Sequence, residues 1–257
     1  MAKFLKSLEN MVRVPYRYFF PKIKIVKPPK KHLSYSQVGE DLIISFLFKM
    51  INREFISYLD IGANNPDINN NTYLFYQKGS RGICIEPIPY LYNEIRKVRP
   101  HDICLNAAVS IDDSKSTDFY VLNDYSLSTL SKLEAENRIK DKQFFIKEIL
   151  KIPTININSI FKKYFNGKTP NLVSLDAEGV DLQILKTIDF QLYRPFVFCI
   201  ETCSYNESHN KSKVKEIIDF MLLNNYFVYA DTYINTIFVA KEQFDDISLI
   251  ADIQMIK

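Results

Sequence analysis

The sequence predicts an α/β protein built on a mostly parallel seven-stranded sheet with helices on both faces. Three observations predict it. Short apolar runs recur along the chain, with helix-like segments between most of them. The run ending in Tyr58-Leu59-Asp60-Ile61-Gly62-Ala63-Asn64 closes on a glycine-containing turn, and the next, Ile83-Cys84-Ile85, closes on Glu86. The last two runs are joined only by a short polar turn near Tyr233-Ile234-Asn235, too tight for a parallel crossover, so the sheet should end in an antiparallel hairpin.

In order, the body begins near Leu33, after Pro28-Pro29. Ser36 to Met50 reads as a helix, with Ser36 as candidate N-cap. The expected strands are Phe55–Ile61, Gly82–Glu86, Asp102–Val109, Leu172–Asp176, Phe196–Glu201, Phe227–Ala230 and Thr236–Ala240. The expected helices between them are Asn70–Lys78, Tyr90–Arg99, Val180–Ile188 and Lys211–Leu223. Residues 111–159 interrupt the alternation and read as an insertion: two short strands, Phe119–Leu122 and Ile152–Ile157, flank a charged helical segment, Ser131 to Leu150. The division is thus a 1–32 extension and a 33–257 domain carrying that insertion, beside the ligand crevice or simply over the sheet.

Composition narrows the class. The 257 residues are 47% hydrophobic and 25% charged, ordinary for a globular protein, with a net charge of +3. The charge is uneven: residues 1–31 carry Lys3, Lys6, Arg13, Arg17, Lys22, Lys24, Lys27, Lys30 and Lys31 against Glu9 alone. The remaining body is mildly acidic, a poor match for nucleic acid. The basic arm suits either a peripheral contact with anionic lipid or packing against its own domain or a second subunit. No apolar run approaches the roughly 20 residues needed to span a bilayer, and no signal-peptide pattern opens the chain. Cys84, Cys104, Cys199 and Cys203 lack metal-ligand spacing and read as reduced thiols of a cytoplasmic protein.

The turn after the first strand carries the first chemical signal. Asp60-Ile61-Gly62-Ala63-Asn64 has a single glycine, where a pyrophosphate-binding turn needs a second to let the backbone approach. An acid at the end of the following strand, Glu86, is suited to a ribose diol. Together they predict a nucleoside-containing ligand without pyrophosphate, which disfavours a nicotinamide-dependent oxidoreductase.

The chain resembles the FkbM family of S-adenosylmethionine-dependent methyltransferases. The resemblance runs from about Tyr35 to Lys241. It takes in Ser36-Gln37-Val38-Gly39-Glu40-Asp41, Leu59 to Asn64, Asn71-Thr72-Tyr73, Gly82 to Pro87, Asn106-Ala107-Ala108, Ser126 to Leu130, Pro153-Thr154, Ser174 to Gly179 and Ile200-Glu201. Asn65-Pro66 departs from the family, which more often has a small or acidic residue and then glycine. The resemblance implies a Rossmann-like class I methyltransferase sheet and S-adenosyl-L-methionine as cofactor. It also implies methyl transfer, usually to a hydroxyl of a sugar or natural product. Asp60, Gly62 and Asn64 would lie near the methionine part, Glu86 at the ribose, Asn106 and Ala107 against the adenine. Gln37, Glu40 and Asp41 would close one side of the pocket, or merely cap the helix.

Asp176, Glu178 and Glu201 end the fourth and fifth strands, where the methyl group should emerge. A carboxylate there can accept the acceptor's proton, hold a divalent cation such as magnesium or manganese, or order the helix beginning at Val180. His209, in the polar loop after Glu201, is a further candidate base. The expected acceptor is a small sugar or sugar nucleotide, for example a precursor of capsule or lipopolysaccharide. The rival from another class is a non-catalytic cofactor-binding module within a larger biosynthetic assembly; oligomeric state is open.

Overall fold

Strands covered on both faces are mostly apolar, and the central runs of this chain are, with Asp60 and Ser174 as buried polar exceptions. In the computed structural model, which describes residues 33–112, 114–205 and 211–244, five parallel strands form the middle and one edge of a seven-stranded sheet. They are β1 (Ser57–Ile61), β2 (Arg81–Ile85), β3 (Ile103–Leu105), β7 (Leu172–Leu175) and β8 (Val197–Glu201). The last two strands, β11 (Tyr226–Asp231) and β12 (Asn235–Ala240), pair antiparallel with each other, and β12 pairs antiparallel with β8. The order is β11-β12-β8-β7-β1-β2-β3, the mostly parallel sheet with a terminal hairpin that the sequence predicts. The described fold lies within the compact unit Ser34–Lys257. The basic arm 1–32 and His209 lie outside the described residues. Among the described residues no helix is long and apolar enough to cross a membrane.

Side chains alternate across the sheet as the strand period requires. Leu59, Ile61, Val173, Leu175, Phe198 and Ile200 face one core, closed by α5 (Ile157–Tyr164), α6 (Asp181–Lys186) and α7 (Lys215–Leu223). Tyr58, Val197 and Cys199 face the other, closed by α1 (Glu40–Met50) and α2 (Tyr73–Gln77). On that second face β1 also presents Asp60, into a buried polar network. Arg99, at the end of α3 (Pro89–Val98), is fully buried and bonds Asp102 at 2.9 Å, Thr72 Oγ1 at 2.8 Å and Asp60 at 3.5 Å. An unpaired guanidinium there would be prohibitive; two carboxylates and two neutral acceptors make it tenable.

Four local expectations are corrected. Asp102–Val109 is two strands, because Asn106 turns its amide back onto the carbonyls of Glu86 and Pro87 (2.9 and 2.8 Å) and β4 (Ala108–Val109) leaves the main sheet to pair with β6 (Ile146–Ile155). The charged segment Ser131–Leu150 is helical only as α4 (Lys132–Arg138), capped by Ser131. Its second half enters β6, whose antiparallel partner β5 (Ser116–Leu122) satisfies its backbone. The helix expected from Lys211 starts at Lys215, since β10 (Lys211–Lys213) pairs with β9 (Cys203–Tyr205). Gly39, not Ser36, is the N-cap of α1; Ser36 Oγ instead accepts from the Gly39 and Asp41 amides.

Candidate active site

In an open parallel sheet the crevice opens at the carboxyl ends of the strands, and so it does here. It runs from Gly62 and Asn64 after β1, past Glu86 after β2 and Ala107, to Asp176 and Glu178 after β7. Phe119, Tyr125 and Leu130 of the insertion cover it. The insertion is therefore beside the crevice and forms one of its walls.

Gly62 has φ +74°, and a β-carbon there would collide with the carbonyl oxygen of Asp176. Only glycine lets the β1 turn pass so close to the end of β7. Asn64 also sits in the left-handed region (φ 47°), and its amide donates to Glu86 Oε2 at 2.9 Å. The Ile88 amide donates to Glu86 Oε1 at 2.8 Å. The carboxyl is thus fixed from two sides at the crevice wall, while burial pushes its pKa up to about 7 despite those two donors.

Asp60 does not line the crevice. Its Oδ2 accepts from Thr72 Oγ1 (2.6 Å) and Asn70 Nδ2 (3.1 Å), and the same Asn70 amide reaches the Ala63 carbonyl at 3.1 Å. It braces the turn from behind. Asn106 likewise ties strand ends together, leaving Ala107 at the wall. Gln37 is exposed. Asp41 is taken up by Ser34, Ser36 and the Tyr35 amide, and Glu40 by the β11–β12 turn, so none of these three reaches the crevice.

Asp176, Glu178 and Glu201 do converge. One carboxylate oxygen from each lies within 4.8 Å of the others, because β7 and β8 are sheet neighbours. Asp176 Oδ1 is buried without a hydrogen-bond partner. Burial, followed by the negative charge of Asp181, pushes Asp176 up to about 7. Burial, followed by the charge of Asp176, pushes Glu178 up to about 8, although Arg138 opposes it. Burial, followed by the charges of the three neighbouring acids, pushes Glu201 up to about 12. The donor set is three hard oxygens, which matches magnesium or manganese.

Sequence reasoning missed what holds this cluster. Arg138 of α4 donates to Glu178 Oε2 at 2.6 Å, and Thr129 Oγ1 to the Glu178 carbonyl at 2.8 Å. Glu178 itself has φ 54°, a strained conformation that the surrounding bonds maintain. Asp181, not Asp176 or Glu178, orders the start of α6, accepting from the Ala177 amide (2.8 Å) and the Gly179 amide (3.2 Å). The acid two residues past Gly179 was a readable signal for this; the Arg138 partnership across 40 residues had none.

A single-glycine turn, an acid on the next strand and an antiparallel final strand define a Rossmann-like methyltransferase sheet. The chain belongs to the FkbM methyltransferase family: residues 60–228 match the methyltransferase FkbM domain. No curated protein matches it. Among solved structures it is similar to a Staphylococcus aureus protein described as a putative caffeoyl-CoA O-methyltransferase, at 11% identity over 93% of this chain and 98% of that one, TM-score 0.44. It is also similar to the Burkholderia thailandensis 1,6-didemethyltoxoflavin-N1-methyltransferase with bound S-adenosylhomocysteine, at 11% identity over 78% and 76%, TM-score 0.38. The magnesium protoporphyrin IX methyltransferase of Synechocystis PCC 6803 with bound SAM matches at 8% identity over 78% and 77%, TM-score 0.39. None of these distant likenesses bears on the substrate of this chain.

Proposed function

We propose that this methyltransferase uses S-adenosylmethionine to methylate a hydroxyl of a sugar, as the free sugar, a sugar nucleotide or a precursor of a surface polysaccharide. The observation that carries the reading is one crevice with a fixed carboxyl, Glu86, at one end and Asp176 and Glu178 at the other, with Glu201, which does not itself line the crevice, within 4.8 Å of both. The cofactor, when bound, supplies a methyl group on a sulfonium, already a good leaving group. Glu86 would accept the ribose hydroxyls, Gly62 and Asn64 would flank the methionine part, and Ala107 with Phe119 would enclose the adenine.

A sugar hydroxyl is a weak nucleophile at neutral pH, so the other end of the crevice must orient it and take its proton. Asp176 suits that role, because its free Oδ1 is buried and its pKa sits near neutrality, where a general base works best. Glu178, held by Arg138, and Glu201 would fix the hydroxyl's orientation. The same three carboxyls fit a divalent cation, which would lower the pKa of a bound hydroxyl.

The reading is tested by calorimetry with S-adenosylmethionine and S-adenosylhomocysteine, followed by methyl transfer from labelled cofactor to a panel of sugars and sugar nucleotides. Binding of neither compound would overturn the cofactor assignment. Binding without transfer to any sugar would remove the sugar.

A further inference from the structure

The four cysteines are all free thiols, but their surroundings differ. Cys84 on β2 and Cys104 on β3 are register partners on neighbouring parallel strands, so their side chains leave the same face of the sheet side by side. Neighbouring strands lie about 4.8 Å apart, which places two such α-carbons inside the roughly 4.4–6.8 Å window that a disulfide spans. Cys84 is completely buried with Ala63 and Ile95, and Cys104 packs against that group. Cys199 and Cys203 have no cysteine opposite them: Cys199 is in register with Ser174 and Ile237, and Cys203 with Lys213.

The two paired thiols are prepared for different tasks. Cys104 stands on the edge strand of the sheet and is partly exposed, so an oxidant can reach it. A hydrogen bond with Cys84 holds its thiol below the ordinary pKa; burial and Asp102 oppose this, and the charges of Arg99 and Arg96 assist it. Burial pushes the Cys84 thiol well above its ordinary value. A partly exposed, readily ionised thiol beside a buried one is the arrangement of an attacking and a resolving cysteine. Cys199, by contrast, is buried and pushed well up, which makes it inert.

We propose that Cys84 and Cys104 form a reversible disulfide when the protein meets a peroxide, and that this bond weakens cofactor binding at the Glu86 end of the crevice. The Cys104 thiolate attacks one peroxide oxygen, the O–O bond breaks, and hydroxide leaves Cys104 as a sulfenic acid. The Cys84 thiol gives up its proton and attacks that sulfur; the S–O bond breaks, and the departing hydroxide and the protons form water. The thiols lose two electrons and the peroxide gains them. Glu86 lies two residues beyond Cys84, and Asn106 two beyond Cys104. These two are already tied: Asn106 Nδ2 donates to the Glu86 and Pro87 carbonyls, and the Glu86 amide to the Leu105 carbonyl at 3.0 Å. Drawing the sulfurs into one bond therefore shifts β2 against β3 directly below the crevice wall. This second effect rests on the S-adenosylmethionine reading above; the disulfide does not.

The reduced full chain is treated with hydrogen peroxide, and its peptides are mapped without reduction. A peptide linking Cys84 to Cys104 should appear, with Cys199 and Cys203 still open to alkylation after unfolding. In the native, untreated protein, iodoacetamide should modify Cys104 at least about tenfold faster than the other three cysteines. In Cys84→Ala, which lacks the resolving thiol, dimedone should trap a sulfenic acid at Cys104. By calorimetry the oxidised protein should bind S-adenosylhomocysteine about tenfold more weakly and recover in dithiothreitol, while peroxide-treated Cys104→Ser keeps the affinity of the untreated protein. Absence of the linked peptide, or linkage through Cys199 or Cys203, overturns the disulfide. A disulfide that forms with affinity unchanged overturns its effect on the crevice. Failure of S-adenosylhomocysteine to bind the reduced protein would strike the cofactor reading instead.

Discussion

Gly62 and Asp176 meet backbone against backbone: the Asp176 amide donates to the Ile61 carbonyl at 3.1 Å, and a β-carbon on Gly62 would strike the Asp176 carbonyl. The turn that should face the cofactor and the acid that should face the acceptor are therefore one rigid joint. Gly62→Ala adds left-handed strain to a backbone collision that no rotamer change can relieve. The expected loss is about 2–5 kcal/mol in urea unfolding, with S-adenosylhomocysteine binding weakened beyond calorimetric detection. A stable variant with normal binding would contradict the geometry.

Glu86 makes two pH predictions with opposite signs. Its pKa rises from an ordinary 4.5 to about 7 on folding, so between those values the folded state binds the extra proton. Its contribution to stability therefore falls as pH rises from about 4.5 to about 7 and is level above that. Ribose hydroxyls donate to the ionised form, so S-adenosylhomocysteine should bind more tightly at pH 8 than at pH 6. Glu86→Gln should flatten that pH dependence and cost about 1–3 kcal/mol of affinity at pH 8. Calorimetry at three pH values decides it; a flat profile in the unaltered protein would remove the ribose role.

At the other end of the crevice, Asp176→Asn should lower kcat by about 10²- to 10⁴-fold and leave S-adenosylhomocysteine affinity nearly unchanged. Chelation in an active assay, with magnesium or manganese then restored, separates the two forms of activation. Activity lost and recovered assigns a cation to Asp176, Glu178 and Glu201. Activity indifferent to chelator leaves Asp176 as the direct base.

Arg99 is predicted to matter for stability. It is fully buried and is the cation beside both Asp60 and Asp102. Arg99→Met keeps much of the volume but strands two carboxyls, which should cost about 3–5 kcal/mol in urea unfolding. A loss under about 1 kcal/mol would mean that Asp60 and Asp102 are satisfied by Thr72, Asn70, Tyr58 and the Gly82 amide without the cation.

Local sequence carried the sheet because its central strands are buried on both faces, and such strands are mostly apolar: β1, β7 and β8 are unmistakable on that basis. It failed at residues 146–150, read as the end of a helix, where Lys147 and Glu148 stand between apolar residues in a way that suits a helix or a strand; the strand read from Ile152 is the second half of β6. The antiparallel partner β5 decided for strand, and no local signal announces a partner.

By itself, then, the sequence determined the layered α/β architecture, the antiparallel ending, the glycine that the β1 turn requires and the acid at the end of β2. Each follows from chain-local physics: burial period, tight-turn geometry and backbone freedom. The tertiary structure alone decided that Asp60 would brace the turn from behind, that Arg138 would hold Glu178, and that Glu40 would grip a turn 192 residues away. A buried charge takes whatever partner the fold brings within hydrogen-bonding distance, and that pairing is settled only when the strands have found their order.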